Sequence, residues 1–145
     1  MSLVIDIADA VAAELNSAPS GTFEQAFTAV RRFLPEFELS DLAELKVSVV
    51  PRGVEITGAT RSASQYEISI DIGVQKKLGR DVDGEVAGLL VLVEQMADYL
   101  RRRTLAGAPR AVWAGIANDP VWAAEHLSEQ RVFTSVLTVT YRAIR

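Results

Sequence analysis

Cysteine is absent from this 145-residue chain. That excludes disulfide staples, thiolate zinc sites and cysteine nucleophiles, and it suits a reducing compartment. Histidine occurs once, at His126. A lone histidine with no fixed acid partner is weak ground for a triad or a metal site, and a surface or interface histidine is the simpler reading. Long apolar runs are missing as well: the most apolar stretch, residues 86–93, is far too short to span a bilayer. The N-terminus has no basic segment leading into an apolar one, and Asp6 and Asp9 interrupt it, so no signal peptide is expected. Basic charge is in deficit, with 15 Lys and Arg against 19 Asp and Glu for a net −4. Phosphate binding draws on a surplus of Lys and Arg, so no nucleic-acid specificity is expected. The expected setting is cytoplasmic, with no membrane partner.

The familiar chemical motifs are missing too. There is no Gly-Lys-Ser/Thr loop, no GxGxxG, no GxSxG elbow and no HExxH. The run Asp81-Val82-Asp83-Gly84-Glu85 faintly resembles a calcium loop. Such a loop needs a Glu at its twelfth position, here Leu92, so a helix cap is the better reading. Glu67 and Asp71 share one face of a strand but lie about 13 Å apart at the usual rise, too far to act as an acid–base pair. No catalytic residue, cofactor or metal ligand is singled out, and an enzyme is not expected.

What is present is an ordinary globular balance, 49% hydrophobic and 23% charged, in a length that fits one domain over residues 1–145. Val4, Ile7, Val11, Ala12 and Leu15 recur at helical spacing and predict a helix over residues 4–16. Residues 23–34 are apolar on both faces and read as an extended segment ended by Pro35, with Arg31 or Arg32 turned inward toward an acidic partner. Ser40 is placed to cap a single turn at residues 41–44. Leu45, Val47 and Val49 alternate with polar residues and predict a strand; Pro51-Arg52-Gly53 reads as a turn or bend, with residues 54–57 continuing beyond it. Residues 58–64 are small and polar and read as an exposed, mobile loop.

The clearest strand is residues 66–74, where Tyr66, Ile68, Ile70, Ile72 and Val74 alternate with polar residues. That is the pattern of an antiparallel sheet covered on one side only. A second helix is predicted over residues 83–103, with Val86, Leu89, Leu90, Val93, Met96, Ala97 and Leu100 buried and Arg101, Arg102 and Arg103 at its negative end. A short strand at residues 111–116, a helical turn opened by Pro120 and a long strand over residues 131–144 complete the chain. The fold class that results is α+β: a small, mostly antiparallel sheet with two main helices on one face.

Residue type and expected exposure single out Arg61, Arg101, Arg102, Arg103, Arg110, Trp113 and Trp122 as interface residues. For the arginine run a plain helix terminus is the alternative, and for the tryptophans local core. The polar sheet face and the long last strand add an edge on which a neighbouring chain can pair.

The phrases RRFLPEFELSDLAELKVSVVPRG, then Arg61 before YEISIDIGVQKKL, then DGEVAGLLVLVEQMADYLRR carry a resemblance over residues 23–103, with FTSVLTVTYRAI in a fitting place after them. They resemble the tail terminator, or tail completion, proteins of tailed phages and prophages, and more loosely other head–tail joining proteins. The resemblance implies a helix-flanked sheet that assembles as a homo-oligomeric ring, typically a hexamer, on the end of the tail tube. Its implied partners are the tail tube protein and the head–tail connector, with no cofactor, assembly in the cytoplasm and a final place in the virion tail. It carries no position-specific motif that assigns interface residues. A head completion protein and a small-molecule binder using the polar sheet face are the competing expectations.

Overall fold

The alternation at residues 66–74 sets the centre of the fold. In the computed structural model, which describes residues 2–34 and 41–145, it lies within a long strand, β3 (Ser64–Lys77). Ile68, Ile70, Ile72 and Val74 are fully buried, while the residues between them are half-exposed. The last strand, β5 (Val132–Ile144), runs antiparallel beside it, with Ile68 opposite Tyr141, Ile70 opposite Val139 and Ile72 opposite Leu137. This register brings both apolar faces onto one side, which a slip of one residue would undo.

On the other side of β3 lies β2 (Lys46–Gly58), antiparallel, with Val47 opposite Val74 and Val49 opposite Ile72. A short β1 (Ala29–Arg31) pairs in parallel with β2, and β4 (Val112–Asn118) pairs antiparallel with β5. The order is β1-β2-β3-β5-β4, and the fold is α+β with a mostly antiparallel sheet, as the sequence predicts.

Two helices cover the apolar face. The first, α1 (Leu3–Asn16), starts where the Ser2 hydroxyl accepts the Ile5 N–H, and it buries Ile7, Val11 and Leu15. At its end the Asn16 side chain bonds both the N–H and the C=O of Ala29, at 2.7 and 2.9 Å, and so holds β1 in line. The second, α2 (Val82–Leu100), is capped by the Asp81 carboxylate, which accepts the Gly84 N–H at 3.1 Å. The cap reading of the 81–85 run therefore holds. Leu89, Leu92, Val93, Met96 and Leu100 are buried along one stripe and join the inward residues of β2, β3 and β5 in one core. No helix among the described residues is long and apolar enough to cross a membrane.

Several expectations need correction. Only Ala29–Arg31 of the 23–34 segment is strand. Phe23 packs at a tilt against Phe27 and edge-to-face against Tyr99 of α2, so its apolar surface serves the helix layer, not the sheet. The inward arginine is Arg31, and its acidic partner is Asp9 of α1. The Pro51–Gly53 turn is a bulge inside a continuous strand. α2 stops at Leu100: Arg101 is already extended, at φ −57 and ψ 121, and Arg102 has φ +59, so the three arginines leave the helix and do not line its last turn. No helical turn opens at Pro120, whose peptide bond is cis; the turn comes later, as a π-helical His126–Gln130. β5 is an inner strand, so the free edge on that side belongs to β4. The single turn near residue 41 is present at Asp41–Ala43, while Ser40 and Pro35 lie outside the described residues.

Candidate interaction surface

The outer face of the sheet carries the polar members of β2, β3 and β5. At the β2 bulge Pro51 is opposite Ile70 and Gly53 opposite Ser69, which leaves Arg52 as the extra residue. Its guanidinium swings over the sheet to Thr138 Oγ1 at 3.1 Å and Asp71 Oδ1 at 3.5 Å, and Thr138 donates to the same carboxylate oxygen at 2.6 Å. Two rows further along, past Ser69 and Thr140, Glu55 faces Glu67 directly, and Glu67 pairs with Arg142 at 3.6 Å. Arg52, Glu55, Glu67, Ser69 and Thr140 line a shallow depression of about 420 Å³. Its carboxylate–cation contacts are side by side along the rows, with Glu67 and Asp71 each held by its own partner. His126 lies elsewhere, its Nδ1 2.9 Å from Thr134 Oγ1. Among the described residues no three His, Cys, Asp or Glu side chains come together as a metal site.

The arginines gather at one end of the sheet. α2 delivers Arg101, Arg102 and Arg103 to a loop that leads, past Arg110, into β4 at Val112, opposite Arg142. The β2–β3 loop that carries Arg61 lies beside them, because Ser64 and Arg145 exchange two backbone hydrogen bonds of 2.9 Å. Arg61, Arg101, Arg102 and Arg110 are exposed and form no ion pair among the described residues.

Arg103 differs from them. Its Nε donates to the Tyr99 carbonyl at 2.9 Å, its guanidinium covers the Tyr99 ring at 3.8 Å, and its Nη1 reaches Glu14 at 3.7 Å. It closes the junction of the two helices. Trp113 shares a small groove with Arg102, Arg103 and Val112. Its ring is half-buried against the core, so the local-core reading describes most of its surface. Trp122 is 44% exposed and sits at the far end of β4, beside the Pro120 bend. Of the residues singled out from sequence, then, one end collects Arg61, Arg101, Arg102, Arg103, Arg110 and Trp113, and Trp122 is apart.

Three further residues belong to this surface and its support. Val54 and Ile56 lie in register with Ile68 and Tyr66 on the helix-facing side, yet they are 42% and 56% exposed. The β2–β3 hairpin runs out past the helices and leaves them uncovered. Glu14, a polar residue in an amphipathic helix, is buried beneath Arg103. A strand pattern or a helix pattern alone signals neither, since both depend on where another element ends.

Tyr141, fully buried next to this junction, has a hydroxyl without a hydrogen-bond partner among the described residues. Burial pushes its phenol well above the ordinary tyrosine range, and the Glu14 carboxylate adds to the push. The folded chain therefore holds this proton more tightly than the unfolded chain. The associated stability is complete below the unfolded value of about 10 and is lost as pH rises through the folded one. Thermal unfolding from pH 7 to 11 is expected to show a shallower alkaline decline for Tyr141→Phe than for the wild type. At neutral pH the two should differ by less than about 1 kcal/mol. Equal alkaline slopes would contradict the assignment.

A scan against protein-family models gives no match, and a search of curated proteins finds no similar sequence.

Proposed function

We propose that the chain is a structural subunit of the tail terminator type, forming a homo-oligomeric ring, with a hexamer expected, that caps a tail tube and offers its other face to the head connector. The resemblance in the 23–103 segment names the role. The observation that carries it is the distribution of unsatisfied groups. On the polar sheet face Asp71 and Glu67 are held by neighbouring arginines, whereas exposed apolar side chains such as Val54, Ile56, Val112 and Trp122, and arginines without an ion pair among the described residues, stand at the ends and the free edge of the sheet. Arginine and aromatic groups in such places are common anchors of protein interfaces. In this reading the protein holds no cofactor and performs no catalysis.

Electron microscopy of the purified protein, with and without tail tubes, tests it. Rings at tube ends are expected. Bare tubes together with a chain that stays monomeric at high concentration would sink the reading. Density on filled heads, with tubes left bare, would favour a head completion protein.

A further inference from the structure

Two exposed apolar patches lie at opposite ends of the sheet; an arginine stands at the tip beyond the first, and the second lies in a segment where carboxylates outnumber cations. The first is on the projecting β2–β3 hairpin. Val54 and Ile56 face the helix side without cover, and Arg61 stands at the tip with no ion-pair partner among the described residues. β1 pairs with β2 only from Val47 to Val49, so the outer edge of the projecting part is also unpaired among the described residues. The second patch follows β4. Val121 and Trp122 are 41% and 44% exposed, in a segment that also carries Asp119, Glu125 and Glu129. None of these three carboxylates forms an ion pair among the described residues.

The patches cannot meet within one molecule. Ile56 is level with Tyr66 of β3, whereas Ala123 bonds to Thr134, which is level with Gln75. Nine residues of strand separate those levels, about 30 Å. We propose that the β2–β3 hairpin of one copy docks on the Val121–Trp122 patch of the next, Ile56 against Trp122 and Arg61 among the acidic side chains. A contact between two different surfaces of the same chain is head-to-tail, and repeated with the right rotation it closes a ring. An arginine on one surface and a surplus of carboxylates on the other also favour one direction of contact. The proposal rests on the ring reading above and supplies its subunit contact.

The absence of cysteine makes the test direct. A chain carrying Ile56→Cys and Trp122→Cys is oxidised mildly and run on a non-reducing gel, beside each single variant. The double variant is expected to form a ladder ending in one closed species, and the single variants to stay uncross-linked. Dimers from Ile56→Cys alone would mean hairpin-to-hairpin pairing and would overturn the proposal. In parallel, sedimentation should show Ile56→Asp weakening self-association at least about tenfold. Arg61→Glu should weaken it too, and Arg61→Glu with Glu125→Arg should recover part of the loss. These residues are exposed, and unchanged thermal unfolding of each variant confirms an intact monomer. If the wild type self-associates but neither the ladder nor the weakening is seen, the contact is wrong and the ring reading stands. If the ladder forms open chains and never closes, the contact stands and the ring reading fails. No self-association of any kind overturns the contact, and bare tube ends besides overturn the ring reading as well.

Discussion

Alanine in place of Phe133 is expected to cost the fold about 3–5 kcal/mol. Phe133 is fully buried on the inward face of β5, which lies between β3 and β4. Removing its ring leaves a cavity that β5, held in register with Phe133 opposite Lys76 of β3, cannot readily close. Stabilities of single domains are about 5–15 kcal/mol, so the loss is a large share of the total. For a chain of this length it corresponds to a fall in melting temperature of roughly 10–15 °C. Urea or thermal unfolding measures it directly. The control is Thr140→Ala, on the outward face of the same strand, whose hydroxyl lies 3.4 Å from Ser69 Oγ. That change should stay within about 0.5 kcal/mol. Similar losses for the two variants would mean that the two faces of β5 are not distinguished as the register requires.

This contrast between faces is the part of the fold most legible in the sequence. Alternation in β3 and β5 is a local consequence of strand geometry, and so are the apolar stripes of α1 and α2. Polarity therefore marks the covered face before any partner is known. Strand order is different, because nothing local in Val132–Ile144 says that Val112–Asn118 will pair on its outer side. The long β-branched strand reads as an edge and is central. The 23–34 segment fails for a related reason: apolar residues on both faces fit a strand, but Phe23 packs on Tyr99 of α2 and Phe27 packs on Phe23. At the interaction surface, residue type found arginines that do share one end of the sheet. It did not find Val54 and Ile56, whose exposure depends on where the helices stop.

Arg103 was singled out as an interface residue, and its contacts give it a second duty that leads to the other large effect. Glu14→Ala is expected to destabilise the chain by about 2–4 kcal/mol. The Glu14 side chain is 10% exposed, accepts the Ala106 N–H at 3.0 Å, and lies 3.5 Å from the Tyr99 hydroxyl and 3.7 Å from Arg103 Nη1. It thus ties α1 to the end of α2 and to the loop that feeds β4. Alanine would leave the partly buried Ala106 N–H of that loop without its acceptor and the Arg103 charge without its counterpart. Glu14→Gln keeps an oxygen for the Ala106 N–H and should cost less than the alanine change. Arg103→Ala should cost about 1 kcal/mol or less, since that side chain is 41% exposed and water can replace part of what it loses. A double-mutant cycle of Glu14→Ala with Arg103→Ala, read by chemical unfolding, separates the pair from the backbone contact. A coupling well below the Glu14→Ala loss would assign most of the stabilisation to the Ala106 bond. If instead Glu14→Ala unfolds no more easily than Arg103→Ala, the carboxylate does not hold the junction. Because the same loop positions Arg102, Arg110 and Trp113, loosening it should also weaken any assembly through that end, so Arg103→Ala tests an interface only when its effect on the monomer's stability has been measured first.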